Sequence, residues 1–306
     1  MARKVELFVP VITPFKADLT PDHPRFTAHA KAMLAAGAHG IAPFGTTGEA
    51  ASLTLSERMA GLEALLAAGI PPQALIPGTG CCALGDTVAL SAHATSLGCR
   101  GVLMLPPFFY KPVSEDGVFA AYAQVIEVIG AVGAVGAANL RVYLYHIPQL
   151  SGVAITLPLV ERLLTAFPGA IAGLKDSSGN WENTKALIAA FGQIDIYSAS
   201  ESLIPRNAAA GGAGCISASA NVNPAGIRRL IDGLGSAGEA DLLDQASQLR
   251  SRFESLPLIP AIKAAVALQT SDPAFARLRP PLVKAGPEHA AAIASAVAMA
   301  GSQAPR

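Results

Sequence analysis

Charged side chains are scarce in this sequence, at 14% of 306 residues, and they cancel: 22 Lys and Arg against 22 Asp and Glu. No basic surplus remains to neutralise a phosphate backbone, and no acidic run marks a disordered tail, so neither nucleic acid nor disorder is expected. The four cysteines, Cys81, Cys82, Cys99 and Cys215, include no C-x-x-C pair. Adjacent Cys81 and Cys82 suit neither a zinc knuckle nor a disulfide framework, so all four read as small buried thiols in a reducing compartment. The first ten residues lack an apolar stretch ending at a small-residue cleavage site, and a cytoplasmic protein is expected. The uncharged run from Ala64 to Gly85 is broken by Pro71, Pro72 and Pro77, so it cannot be one membrane helix.

Several catalytic signatures are missing as well. There is no H-E-x-x-H, no P-loop lysine and no G-x-S-x-G elbow. G-T-G-C-C-A at 78–83 matches the loose dinucleotide pattern G-x-G-x-x-A, but no Asp or Glu follows between Thr87 and Ser114 to hold a ribose. NAD is rejected, and neither a metal nor an organic cofactor is expected.

Alanine, glycine and aliphatic residues are plentiful instead, and 51% hydrophobic content can bury a large core. Short apolar runs alternate with longer amphipathic ones. Strands are expected at Leu7–Ile12, Gly40–Phe44, Ala74–Pro77, Gly101–Leu105, Arg141–Tyr145, Ile171–Lys175, Ile194–Ser198 and Gly214–Ser217. Thr54 and Glu57 form a capping box ahead of the stripe Met59, Leu62, Leu65 and Leu66, Asp86 can cap the next helix, and Glu115 begins another. The glycine-rich stretch 130–139 reads as a return loop. Eight β-α units in series fit an α/β fold of the (β/α)8 barrel type, with a doubly wound open sheet as the competitor. After Val222 the pattern is helical, near 224–236, 238–254, 258–269 and 287–300. The expected division is a barrel over 1–222 and a packed helical extension over 223–306.

In such a barrel the chemistry sits where the strands end. Thr13-Pro14-Phe15 follows the first strand and G-T-T-G-E at 45–49 the second. P-P-F-F-Y-K-P at 106–112 and Y-H-I-P at 145–148 follow the fourth and fifth. In G-T-T-G-E, Gly45 and Gly48 let backbone approach a ligand, and the Thr46 and Thr47 hydroxyls and amides can hold a carboxylate; a capped βα turn explains the same residues. His146 either lines this rim or packs behind it. The sixth strand ends in A-G-L-K-D-S-S-G, on Lys175. A lysine there either leans into water or is a nucleophile kept in a dry pocket, where the free amine is favoured. Tyr145 ends the strand before it, so a phenol would stand beside the amine and could pass protons during imine formation; amphipathic packing of a strand-end tyrosine explains the same residue. Alternation puts Ile171, Gly173 and Lys175 on one face, with Gly173 leaving room beneath the amine.

Together V-P-V-I-T-P-F (9–15), F-G-T-T-G-E, L-P-P-F-F-Y-K-P, L-Y-H-I-P-Q-L-S-G-V (144–153) and G-L-K-D-S-S-G resemble the dihydrodipicolinate synthase / N-acetylneuraminate lyase family over nearly the whole chain. The resemblance implies a (β/α)8 barrel with a C-terminal helical region, a homotetramer built as a dimer of dimers, and class I aldolase chemistry on pyruvate or another 2-oxo acid. By position it makes Lys175 the Schiff-base lysine and Tyr145 its proton handler. Thr46 and Thr47 would hold the pyruvyl carboxylate, with Thr47 in the hydroxyl relay. Ile216 would face the pyruvyl group, while Ser200 and Glu201 would contact the second substrate.

Two positions depart from the family. Phe109 stands where relatives place a tyrosine that reaches the neighbouring subunit's site, and Tyr110 is one residue off. Leu150 replaces the arginine with which the synthase branch grips aspartate semialdehyde, and leucine cannot do a guanidinium's work. Thr54, Glu57, Cys82 and Phe108 do not make a feedback-lysine site. The favoured reading is a lyase or aldolase that reversibly cleaves a 4-hydroxy-2-oxo acid, sugar-derived acids included, to pyruvate and an aldehyde. Its rivals are the lysine-pathway synthase, a keto-deoxy sugar acid dehydratase, and a weakened 2-oxo-acid binding protein.

Overall fold

The computed structural model describes residues 3–131 and 140–303; most of the expected return loop at 130–139 lies outside them. Among the described residues seven strands form one sheet: β1 Glu6–Val9, β2 Gly40–Ile41, β3 Val102–Met104, β4 Val142–His146, β5 Ile171–Asp176, β6 Asp195–Ser198 and β7 Gly214–Ile216. Their order is β2-β1-β7-β6-β5-β4-β3, and every pairing is parallel.

The expected strand Ala74–Pro77 is not a regular strand, yet it closes the barrel between β2 and β3. Leu75 bridges Ile41, and Gly78 bridges Leu103. Ile76 N–H donates to the Ile41 carbonyl at 3.0 Å, and Leu103 N–H donates to the Pro77 carbonyl at 2.8 Å. Pro77 has no N–H to return, so the ladder is interrupted there.

Helices wrap the barrel, and most of the sequence signals for them hold. Thr54 and Glu57 do form a capping box at the start of Leu55–Ala67, although Arg58 and Gly61 join Leu62 and Leu65 on its buried face. Asp86 is not a cap. Ala83 precedes Leu84–Ser96, and Asp86 lies in the first turn, where a carboxylate still favours the helix N-terminus. The tail folds as Pro224–Asp232, Glu239–Glu254, Leu258–Thr270 and Ala290–Ser302. Ile227 and Leu230 of the first of these join the core between barrel and helices. The later helices build a second core around Leu249, Phe253, Ile262 and Val266. No described helix is long and apolar enough to cross a membrane.

The barrel interior is a separate cluster that includes Phe8, Tyr143, Tyr145, Tyr197 and Ile216. Its floor is ionic. Arg100 pairs with both Glu6 oxygens at 3.0 and 2.6 Å and reaches the Tyr143 and Tyr197 hydroxyls at 3.3 and 3.4 Å. Two of the four thiols depart from the expected burial: Cys99 and Cys215 are buried, whereas Cys81 is half-buried and Cys82 exposed.

Candidate active site

Lys175 and Tyr145 are direct register partners on β5 and β4. Both are buried, at 5% and 3% exposure. Lys175 Nζ lies 3.5 Å from Tyr145 Oη and 4.4 Å from the centroid of the tyrosine ring. Its neighbours are therefore a phenol oxygen and a π face; among the described residues no carboxylate pairs with it. Tyr145 Oη is held in turn by Thr46 Oγ1 at 3.2 Å. The three groups form a line from the β2 turn to the amine.

It is Thr46, not Thr47, that meets the phenol, which corrects the placing of Thr47 in the hydroxyl chain. The turn explains why. Gly48, Glu49 and Ala50 turn their N–H groups back onto Gly45 and Thr46 carbonyls at 3.1–3.2 Å. This closes a tight loop that lifts Thr46 toward Tyr145 and buries Thr47 at 6% exposure. The Thr46 and Thr47 amides and the Thr47 hydroxyl have no protein partner among the described residues, so three donors on one turn are free for an anion. The glycines serve different ends. A Cβ at Gly45 would meet nothing within 4 Å, whereas one at Gly48 would lie 2.9 Å from the Val11 carbonyl. Gly45 keeps the turn open; Gly48 lets it pack on the first strand's exit.

Ile216, at the end of β7, is fully buried in the same interior cluster as Tyr145. The other expected site residues differ in what they touch. His146 alternates with Tyr145 and turns away from the interior; its Nδ1 accepts from Ile155 N–H at 3.0 Å. Burial holds its imidazole below the usual range, although Asp176 opposes this. It packs behind the rim. Glu201 is fully buried, with one carboxylate oxygen accepting from Ser217 at 2.5 Å and the other from Ser219. Its oxygens are committed internally, so it is not a free contact for a second substrate. Ser200 bonds to Ser202 at 2.7 Å. Leu150 is 63% exposed and Tyr110 79% exposed, the latter edge-on to Phe109.

The face containing Lys175 also differs from simple alternation. The register between β4 and β5 shifts, pairing Val142 with Ile171 but Tyr143 with Gly173. This bulge sends Ile171 to the outer core and Ala172 inward. Gly173 does share the inner face with Lys175, but the room it leaves is taken: a Cβ there would lie 2.5 Å from the Tyr143 ring. The glycine admits Tyr143 under the amine.

Sequence reasoning missed Lys263. It lies within Leu258–Thr270, is fully buried and pairs with Glu49. The signal was visible as one lysine inside L-I-P-A-I-K-A-A-V-A-L, since a lone charge in an apolar helix must find a partner.

Residues 4–300 match the family model described as the Dihydrodipicolinate synthetase family. An uncharacterized DapA-like lyase of Chloroflexus aurantiacus is 36% identical over 298 residues, covering 97% of each chain. A 4-hydroxy-tetrahydrodipicolinate synthase of Rhizobium meliloti is 29% identical, over 95% of this chain and 96% of that one. The crystal structure of dihydrodipicolinate synthase from Agrobacterium tumefaciens superposes with a TM-score of 0.86 at 35% identity, covering 96% of this chain and 98% of that one.

Proposed function

Because the chain belongs to the dihydrodipicolinate synthetase family, and is thereby a lyase of the lysine-imine, class I aldolase kind, we propose that Lys175 is its Schiff-base residue and that it reversibly cleaves a 4-hydroxy-2-oxo acid to pyruvate and an aldehyde. The observation that carries this is the line Thr46–Tyr145–Lys175, with 3.2 and 3.5 Å steps, beside a turn with unclaimed amide donors.

The substrate carboxylate sits on the Thr46 and Thr47 amides and the Thr47 hydroxyl. The Lys175 amine attacks C2, Tyr145 gives its phenol proton to the departing hydroxyl, and water leaves to give the iminium. The phenolate so formed, kept in place by Thr46, takes the C4 hydroxyl proton as the C3–C4 bond breaks, and the aldehyde departs. The bond electrons enter the iminium, giving an enamine. Protonation at C3 and hydrolysis then release pyruvate and the free amine. Ile216 forms the apolar wall behind the pyruvyl group.

Leu150, apolar and exposed, supports a substrate without a second carboxylate at that position, sugar-derived acids among them. A second reading, synthesis from pyruvate and aspartate semialdehyde, is favoured by the 35% identity to the Agrobacterium synthase. The exposed pair Phe109 and Tyr110, 73% and 79% accessible in a single chain, supports a homotetramer in which this loop meets a neighbouring subunit. Four unpaired thiols suit the cytoplasm.

Incubation with pyruvate and borohydride, followed by peptide mass spectrometry, tests the imine. Reductive labelling of Lys175 is expected, and an unlabelled Lys175 overturns the proposal. Release of pyruvate from 2-keto-3-deoxy acids, assayed beside condensation with aspartate semialdehyde, separates the two readings; robust condensation alone selects the synthase.

A further inference from the structure

We infer that Lys263, in the helix Leu258–Thr270 of the C-terminal region, is a positioning residue for the carboxylate-binding turn: its ammonium holds Glu49 and removes a negative charge from beside the substrate's own carboxylate. This rests on the proposed imine chemistry, since it assigns the turn a carboxylate ligand.

The contacts are specific. Lys263 Nζ donates to the Glu49 carboxylate and to the Thr13 carbonyl, the latter at 2.8 Å. It also lies 4.4 Å from the Phe15 ring centroid. The other Glu49 oxygen accepts from Arg279 N–H at 3.1 Å. The Arg279 guanidinium binds the Ser52 carbonyl at 2.7 Å and Glu57 at 2.8 and 2.5 Å. Thr13 closes the ring by donating its hydroxyl to the Gly48 carbonyl at 2.7 Å. One buried pair thus ties the exits of β1 and β2 to the C-terminal region.

Glu49 has φ +55°, a left-handed backbone that a non-glycine residue keeps only when its surroundings hold it. It stands two residues past Thr47, and its N–H closes the turn onto the Thr46 carbonyl at 3.1 Å. Stability alone does not call for an ion pair here, because a well-packed apolar pair can be as stable. A charged pair does something an apolar pair cannot. It fixes the turn by directed bonds while leaving the anion site without a net negative neighbour.

Titration gives this arrangement a pH signature. Burial pushes Lys263 down to about 8, Glu49 pulls it up, and Arg279 pushes it down. The charged groups facing it are Glu49 and Arg279, the latter paired with Glu57; Thr13 and Phe15 bring no titratable group. Above about pH 8 the ammonium is lost, Glu49 loses its partner, and a substrate carboxylate meets a less favourable turn.

The experiment measures half-saturation by pyruvate in borohydride trapping of Lys175, at about pH 7 and about pH 9, on the intact chain. Lys263→Met is expected to raise half-saturation by about tenfold or more, the scale of one lost charge-assisted hydrogen bond, with labelling at saturation unchanged. Glu49→Gln/Lys263→Met, which removes both charges, is expected to recover most of that loss. It is also expected to remove the part of the alkaline rise that the wild type shows beyond it. Equal impairment of single and double variants overturns the inference, as does an alkaline rise that persists unchanged in the double variant. If Lys263→Met does not fold, the wild-type and double-variant pH profiles decide alone. A wild type that traps no pyruvate at any concentration sinks the imine reading and this inference with it. Wild-type trapping with no response to these variants sinks the inference only.

Discussion

Thr46 Oγ1 and Tyr145 Oη meet at 3.2 Å across the barrel mouth, joining a turn after β2 to the phenol beside Lys175. Thr47, the next residue, makes no such contact. The two threonines are therefore separable by experiment. Thr46→Val is expected to lower kcat with a modest change in KM, because it loosens the proton-handling phenol. Thr47→Val is expected to raise KM, because it removes a carboxylate donor. Tyr145→Phe is expected to cost about 10²–10⁴ in kcat, the range for a general acid–base group. Steady-state kinetics on the three variants checks this; a Thr47→Val defect confined to kcat would reverse the assignment.

Gly173 is expected to accept no side chain. A Cβ there would lie 2.4 Å from the Asp195 carbonyl and 2.5 Å from the Tyr143 ring. Neither can retreat freely, because both belong to the sheet beneath Lys175. Gly173→Ala is expected to destabilise by roughly 1–3 kcal/mol, the scale of overpacking. Denaturant unfolding would show it, and an unchanged midpoint would mean that the floor under the amine is loose.

Arg100 holds the barrel floor. Its partners Glu6 and Asp195 lie 2.6 and 3.6 Å away, and the Tyr197 hydroxyl donates to Glu6 at 2.9 Å. Although burial opposes it, the bonds to Arg100 leave the Glu6 carboxyl below its usual range. Arg100→Met is expected to cost about 3–5 kcal/mol, because it strands the acids rather than merely losing a pair. A loss under about 1 kcal/mol in chemical denaturation would show that the floor is solvated.

His29 predicts a pH dependence of stability. It is buried, its Nε2 lies 2.9 Å from Asn221 Oδ1, and burial pushes it from 6.5 down to about 4, with that bond opposing. Between those values the unfolded chain binds a proton that the folded chain refuses. Stability is therefore complete above about pH 6.5 and falls as pH drops toward about 4, by up to roughly 3 kcal/mol. Denaturation midpoints across that window should flatten in His29→Gln. A slope unchanged by the substitution would assign the effect to other groups.

Much of this protein is legible because its signals are local. The capping box at Thr54 and Glu57, the tail helices, and a lysine ending an apolar strand depend on residues a few positions apart. The register pairing of Tyr145 with Lys175 also followed, since consecutive parallel strands in a barrel end side by side. The failures are of one kind. Whether Ala74–Pro77 forms a full strand depends on hydrogen bonds that Pro77 cannot supply. Ile171 leaves the face of Lys175 because a bulge at Ala172 breaks the period of two. His146 and Glu201 have site-like chemistry and positions, but Ile155 claims Nδ1 of the first, and Ser217 and Ser219 claim both oxygens of the second.

The kind of chemistry was legible in the order of residues, because a nucleophilic amine, a phenol and a hydroxyl-bearing turn must each be written at a strand end. Which threonine meets the phenol, what fills the space under the amine, and that Lys263 reaches Glu49 across 214 positions were settled by folding. Those outcomes depend on distances of a few tenths of an ångström between segments remote in the chain, where burial forces each polar group to find a partner that no local pattern names.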